Sequence, residues 1–409
     1  MTVSYEQLLD DIYSAYLQAR KHKRNKRSQL MFEYSLESEL ASLRDEIWER
    51  RYSPSKADCF VVRDPVLREI YSSQFRDRVV HHLLYNYISP FFEERFIHDS
   101  YSCRIGKGTG AGITRLSHHI RSCSENYTKE SYILKLDIRN YFASIDQEKL
   151  YQRIMHELHK GKDDIFDMEL VSFLLRVIIF RDPAANANYI GPASLRKELP
   201  PLKSLRNAPE GIGLPIGDLT SQLFSNIYLD SFDQWIKREM HIKHYGRYVD
   251  DFYIVHRDRA VLESLIPCIA GFLKSELGLT LHPAKIVLCR ARDSIEFLGA
   301  LLSPYCIRPS RRCVSSFKSE IHKIDMAEAN SMQGRKSNIA RLNARLGYVA
   351  QFRTFRLRSN VILNTRYIKN HYSFPVSYKL ARFRSASQCE LWQEYCNDFI
   401  VTTTALEFE

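Results

Sequence analysis

No part of this sequence looks like a membrane span, a secretory leader, a disulfide framework or a zinc ribbon. Each absence removes a class of function. The most apolar run, VSFLLRVIIF (171–180), is interrupted by Arg176 and is half the roughly 20 residues that a bilayer span needs. The first residues, MTVSYEQLLDD, carry acids where a leader has a basic start and an apolar stretch. Nine cysteines, an odd number with no CxxC pair, fit neither disulfide pairing nor zinc ligation. They read as reduced thiols of a cytoplasmic protein. Internal repeats and low-complexity tracts are absent too. The expectation is a soluble, cytoplasmic chain with no membrane partner.

What is present is core material and an uneven charge. Of 409 residues, 44% are hydrophobic and 12% aromatic, enough for two or three packed units. The formal charge is +11. Between Arg308 and Arg384 stand 17 Lys or Arg and three acids, Glu320, Asp325 and Glu328, so this segment carries +14 and the remainder about −3. A positive field confined to one stretch suits a grip on a phosphate backbone; the plainer reading is a solvated basic surface. A second basic cluster, Lys21, Lys23, Arg24, Lys26 and Arg27, is a candidate for binding structured RNA.

Periodicity gives an outline. Leu8, Leu9, Ile12, Tyr13 and Tyr16 are spaced for a helix within 4–50, and a second helix covers about 36–50. Residues 59–72 read as a strand pair turning near Pro65. Residues 81–96 read as a helix ended or kinked near Pro90. SYILKLDI (131–138) is a strand, and Asp146 is an N-cap for a helix from Gln147. The polar, Pro-rich stretch 182–210 reads as a surface insertion. A long helix covers 218–240, and residues 245–256 form a hairpin around Asp250-Asp251. Strand, helix, helix, hairpin, helix, strand describes an α+β layer, helices backing a small antiparallel sheet. Beyond Pro309 the chain turns basic and helical.

The sharpest chemical feature is Tyr248-Val249-Asp250-Asp251. Two adjacent acids at the tip of an apolar hairpin repel each other beside a hydrophobic face, and a divalent cation relieves that. The alternative is an ordinary Asp-rich turn. Asp137, which ends an apolar strand, is the second acid; taken alone it is a capping or turn residue. Transfer of a nucleotidyl group uses two Mg²⁺ ions about 3.5–4 Å apart, and Mg²⁺ takes oxygen ligands in an octahedron. Carboxylates from one strand end and one hairpin tip meet that demand.

At this point a resemblance enters. KLDIRNYFASID (135–146), GLPIGDLTSQLFSNIYLDSFD (213–233), YGRYVDDFYIV (245–255), GLTLHPAKI (278–286) and EFLGALLS (296–303) resemble the five palm motifs of bacterial reverse transcriptases. LREIYSSQFRDRVVHHLL (67–84) and DSYSCRIGKGTGAG (99–112) resemble the two finger motifs. GLPIGDLTSQLFSNIYL is similar to enzymes of diversity-generating retroelements and of phage defence.

The resemblance implies a right-hand polymerase: N-terminal helices and fingers (1–130), palm (131–305), and a helical thumb with a C-terminal extension (306–409). It implies an RNA-directed DNA polymerase using two Mg²⁺ ions, with Mn²⁺ as a substitute. Its partners would be deoxynucleoside triphosphates, a DNA product and an RNA template, here expected to be a specific non-coding RNA. An accessory protein or a second copy of the chain is also expected. Asp137, Asp250, Asp251 and the Ile138 carbonyl would hold metal. Lys285 would protonate the pyrophosphate. Arg63 and Arg68 would grip the triphosphate, and Phe142 would exclude a ribose 2′-hydroxyl; alone, each arginine is a surface ion-pair residue and Phe142 a core residue. Ile216 stands where most such enzymes have a Gln on the incoming nucleotide. Gly217, Ser221 and Gln222 would line the nucleotide and template path. Arg104, Lys107, Tyr248, Leu298, Gly299, Arg345 and Arg353 would contact template or primer.

Two rivals remain: an RNA-dependent RNA polymerase, which Phe142 opposes, and a non-catalytic RNA-binding palm, which the intact acids oppose. The biological setting is expected to be antiphage defence, with mutagenic retrohoming as the alternative.

Overall fold

A computed structural model describes residues 3–21, 26–63, 66–161, 167–185, 187–327, 332–375 and 377–383. Lys23, Arg24, Pro65, Glu328 and Arg384 lie outside the described residues, as does the expected C-terminal extension after Phe383. By its contacts the chain divides into two units.

The first unit comprises Met1–Arg104, Lys135–Ile254 and Ala260–Val287. Its helix Tyr5–Ala19 is capped by Ser4, whose hydroxyl accepts from Gln7 N, and buries Leu8, Ile12, Ala15, Tyr16 and Ala19 on one face. Helices Arg27–Tyr34 and Leu36–Trp48 follow. Strands Asp58–Val62 and Arg68–Ser72 pair antiparallel, Val62 opposite Arg68. The next helix starts at Phe75, six residues before the expected start, and runs to Glu93 through Pro90. Pro90 sits on the exposed face three residues before the helix stops; its missing N–H costs the bond to the Asn86 carbonyl without breaking the helix there.

Asp146 caps the helix Gln147–His159, accepting from Lys149 N. The apolar run 171–180 is a helix, Met168–Ile179, capped by Asp167. Its buried residues Leu170, Val171, Leu174, Leu175, Ile178 and Ile179 recur at helical spacing, with Glu169 and Arg176 exposed on the other side. The stretch 182–210 is stitched to the strand pair rather than merely lying on the surface. Asn188–Tyr189 pairs parallel with Asp58–Cys59, and buried Glu69 accepts from Ser204 Oγ and Leu205 N at 2.9 and 3.1 Å.

Helix Leu219–Gln234 follows Gly217, and the hairpin His244–Tyr248/Asp251–His256 comes next. In the four-stranded sheet the order is His244–Tyr248, Asp251–His256, Tyr132–Asp137, Val287–Arg290. Helix Arg259–Leu277 buries Leu262, Leu265, Ile269, Leu273 and Leu277, one face at spacings of three and four; each such leucine contributes about 2 kcal/mol. Its Pro267 is exposed.

The second unit comprises Ile105–Leu134, Val255–Arg259 and Leu288–Glu409. Its helix Thr109–Cys123 follows Gly108, whose φ of 110° no other residue would adopt readily. Strands Ile295–Phe297, Ala300–Ser303 and Cys306–Pro309 form an antiparallel meander. Helices Arg311–Ala327, Met332–Ala350 and Phe355–Leu363 share a core that includes Phe317, Ile321, Leu342, Leu346 and Ile362. Among the described residues, no helix is long and apolar enough to cross a membrane.

Candidate active site

Local pairing inside the first unit brings the three acids together. Ile138 N donates to the Asp250 carbonyl at 3.0 Å, so the end of the first strand is tied to the hairpin tip. His282 N donates to the Asp137 carbonyl at 2.8 Å, which fixes the strand's other side. Val249 takes φ 55°, a left-handed turn at a β-branched residue. That is strain of the kind that persists only where surrounding contacts over-determine it.

The carboxylates are costly as they stand. Burial first, and then the Asp137 charge, push Asp250 up to about 6. Burial pushes Asp251 up to about 7; Lys135 opposes this, and Asp137 and Asp250 add to it. Asp251 Oδ1 is buried with no hydrogen-bond partner among the described residues. Two lysines act as counter-charges. Lys285 Nζ donates to both oxygens of Asp137 at 2.8 Å, and Lys135 Nζ lies 3.4 Å from Asp251 Oδ2.

Among the described residues no three His, Cys, Asp or Glu side chains form a ready-made metal cluster. The donor set nevertheless suits a hard divalent cation: oxygen ligands only, mutually repelling charges, and one buried carboxylate oxygen left unbonded.

The floor beside the acids is assembled from three segments. Phe142, half-buried in the 3₁₀ turn Tyr141–Ser144, accepts at its carbonyl from Leu214 N at 2.8 Å. The Ile216 carbonyl accepts from Tyr71 N at 2.9 Å, which ties the Arg68–Ser72 strand to the same loop. Gly217 has φ 142°, and a Cβ there would lie 2.3 Å from the Tyr71 carbonyl oxygen, so only glycine fits. Ser221 is buried on the following helix and Gln222 is exposed. Arg68 is exposed at its strand's start, near enough for its charge to lower Asp250. Tyr248 closes the first hairpin strand, half-buried, with its hydroxyl pushed up by burial.

Other expected contacts lie elsewhere. Arg104, expected on the template, is built into the fold instead. Its guanidinium donates to Glu93 Oε2 at 2.8 Å, to the Ile97 carbonyl at 2.7 Å and to the Ser100 carbonyl at 3.2 Å. Its side chain is only 7% exposed, so nothing is left for a phosphate. Arg63 is exposed but holds Glu198 through both carboxylate oxygens, at 2.6 and 2.7 Å.

Lys107, Leu298, Gly299, Arg345 and Arg353 belong to the second unit. There Tyr348 Oη donates to the Leu298 carbonyl at 2.7 Å, and Leu298 and Gly299 turn with φ 50° and 79°. Lys107 and Arg345 are half-buried; Arg353 and Arg356 are exposed. Arg341 pairs with Glu320 at 2.7 Å. Arg358 points inward, to the Tyr378 and Ser377 carbonyls and Thr354 Oγ1. Arg341, Arg345, Arg353, Arg356 and Arg358, which recur at roughly helical spacing in the sequence, therefore do not form one outward face.

Sequence reasoning passed over Lys135, Arg247 and Asp233. The signal was available, since a lone charge inside an apolar strand or helix face needs a buried partner.

Residues 66–302 match a family model described as reverse transcriptase (RNA-dependent DNA polymerase). The chain is similar to Protein YkfC of Escherichia coli (strain K12), 24% identical over 303 residues, covering 66% of this chain and 72% of that protein. Among solved structures it is similar to telomerase from Candida albicans in complex with a TWJ fragment of telomeric RNA. That match has 12% identity and a TM-score of 0.45, covering 84% of this chain and 61% of that one. It is also similar to apo telomerase from Candida tropicalis, with 12% identity and a TM-score of 0.47, covering 75% and 55%. The chain thus spans less than two thirds of either telomerase chain.

Proposed function

The chain belongs to the reverse transcriptase (RNA-dependent DNA polymerase) family, and on that premise we propose that it copies one dedicated, non-coding RNA into DNA in bacterial antiphage defence. RNA-directed DNA polymerisation, with an RNA template and a DNA product, follows from the family. The template's identity, the biological role and the residue roles are the proposal.

One observation carries the catalytic part. Asp250 and Asp251 are half-buried beside Asp137, their raised carboxyls only partly offset by Lys285, Arg68 and Lys135, with an unbonded carboxylate oxygen on Asp251. A fold keeps such a cost where the charge is used. Asp137, Asp250, Asp251 and the Ile138 carbonyl would hold two divalent ions, Mg²⁺ or Mn²⁺, which supply charge stabilisation and activation of the primer 3′-hydroxyl. The chain itself does the rest. Phe142, with its backbone fixed by Leu214, presents a ring where a 2′-hydroxyl would lie. Gly217 would line the template–nucleotide path, and its lack of a side chain lets the loop pack against the Tyr71 carbonyl. Arg68 faces the triphosphate with a bidentate donor. Lys285, half-exposed, can leave Asp137 and protonate the departing pyrophosphate at Nζ. The fingers, palm and thumb divisions (1–130, 131–305, 306–409), and the primer-side roles of Leu298, Gly299 and Arg353, belong to the same proposal. Arg63 would serve the triphosphate only after releasing Glu198.

The defence setting rests on the kinship of GLPIGDLTSQLFSNIYL with phage-defence enzymes and on the basic segment 308–384, which suits a structured RNA. The test is sequencing of nucleic acids that co-purify with the wild type and with Asp250→Asn from the native host. DNA complementary to one co-bound RNA, present only with the wild type, supports the proposal. RNA without DNA in both, even during infection, refutes it in favour of a non-catalytic scaffold. A variable-repeat target gene beside this one would replace defence with diversity generation.

A further inference from the structure

The first strand of the hairpin and the helix Leu219–Gln234 share an ion pair that the polymerase chemistry does not use. Arg247 and Asp233 are both fully buried. Arg247 Nη2 donates to Asp233 Oδ2 at 2.6 Å, and Nε donates to Oδ1 at 2.8 Å. Asp233 also accepts from Tyr245 Oη. Burying two full charges is poor stability engineering, since an apolar pair of similar shape does as well or better. Such a pair is better explained by what its geometry fixes.

The third guanidinium nitrogen shows what that is. Arg247 Nη1 donates to the Val249 carbonyl at 3.1 Å, and Val249 is the residue held at positive φ immediately before Asp250. On the other side of Asp250, its carbonyl accepts from Ile138 N. The peptide between Val249 and Asp250 is therefore held at both flanks, by a buried guanidinium and by a strand amide. If that peptide flipped, the Arg247 bond would break, the Val249 strain would be released and the Asp250 carboxylate would swing away from Asp137.

We propose that Arg247, itself locked by Asp233, is a positioning residue that fixes the Val249–Asp250 peptide and so aims the Asp250 carboxylate. It touches no substrate and acts through the turn. The inference rests on the assignment of Asp250 as a metal-holding carboxylate, and Asp250→Asn tests that assignment separately.

The experiment compares primer extension on an RNA template for the wild type, Arg247→Lys, and the double variant Asp233→Asn/Arg247→Met, with Asp250→Asn as control. Lysine keeps the charge opposite Asp233 but cannot reach both Asp233 and the Val249 carbonyl. The double variant removes both charges and leaves Tyr245 an acceptor. Each protein is checked for its unfolding midpoint. Positioning predicts kcat reduced at least tenfold in both variants, a raised Mg²⁺ concentration for half-maximal rate, partial rescue at high Mg²⁺, and a near-unchanged KM for nucleotide. In the double variant these losses persist even where the unfolding midpoint is restored.

Wild-type kcat and Mg²⁺ dependence in a folded double variant would overturn the inference and leave a purely structural ion pair. A further readout needs no variant: in the wild type the Ile138 amide must resist hydrogen exchange as core strands do, and exchange as fast as a surface turn would equally overturn it. If Asp250→Asn retains activity, the active-site assignment fails instead.

Discussion

Neutralising Asp250 should stabilise the metal-free protein at neutral pH while abolishing polymerisation. Asp250 rises from an unfolded value near 3.8 to about 6, through burial and the Asp137 charge. A carboxylate raised in the folded state contributes stability only below its unfolded pKa, and loses it as pH climbs through the folded one. The cost of ionising Asp250 is then about 1.5 kcal/mol at pH 5 and about 3 kcal/mol at pH 8. Asn matches the shape of the carboxyl and never ionises. In chelator, Asp250→Asn is therefore expected to exceed the wild type by roughly 2–3 kcal/mol at pH 8 and by about half that at pH 5. The assay is urea denaturation of both proteins across this range, then again with saturating Ca²⁺ or Mg²⁺. The cation should stabilise the wild type selectively and close the gap. An Asp250→Asn protein that is less stable than the wild type at pH 8, or a gap independent of pH, would refute the reasoning that burial and repulsion dominate this site.

Three other outcomes follow from single contacts. Phe142→Ala should raise the ratio of ribonucleotide to deoxynucleotide kcat/KM by at least about tenfold, since one bulky group is what separates the two sugars; an unchanged ratio returns Phe142 to core packing. Gly217→Ala should cost more than about 1 kcal/mol in thermal denaturation and most of the activity, because its Cβ meets the Tyr71 carbonyl and its φ is 142°. Arg104→Ala should lower stability by roughly 2–3 kcal/mol by removing its bonds to the Glu93 carboxylate and to the carbonyls of Glu93, Ile97 and Ser100. Arg104→Ala should also leave the affinity of the folded protein for RNA unchanged; a specific loss of template binding would contradict its inward role.

That Asp137 at a strand end comes within electrostatic reach of Asp250 and Asp251 at a hairpin tip was readable from sequence, because acids ending apolar strands mark the ends of those strands. Other parts were hidden for identifiable reasons. Arg104 sits in a Gly-rich loop, where a cation ordinarily faces solvent; the carbonyls of Ile97 and Ser100 that capture it leave no mark in the sequence. The helix Met168–Ile179 did carry a period, Leu170, Val171, Leu174, Leu175, Ile178 and Ile179 buried against exposed Glu169 and Arg176, but the dense apolar run 171–180 masked it. The arginines from 341 to 358 look like one row, yet Arg358 turns inward and Arg341 is taken by Glu320. Backbone pairing decided the remainder. The Ile216 carbonyl meets Tyr71 N across more than 140 residues of chain, and no local pattern encodes that.

The two lysines beside the acids differ in a way that bears on how the site opens to a cation. Lys135 is 21% exposed and starts within the central strand, so it has little room to leave Asp251. Lys285 is 53% exposed, on a short turn at the site's edge, and holds Asp137 by a surface pair. Exposed pairs of this kind are weak and readily exchanged, whereas a divalent cation among three carboxylates gains far more from the same oxygens. Cation binding should therefore release Lys285 and leave Lys135 where it is. Acylation of lysines, read by mass spectrometry, distinguishes them: adding Ca²⁺ should speed modification of Lys285 and leave Lys135 slow. Slower modification of Lys285 on adding Ca²⁺ would mean that its ammonium stays on Asp137 with the cation bound. It would then be unavailable to protonate pyrophosphate, and that role would have to pass to another group.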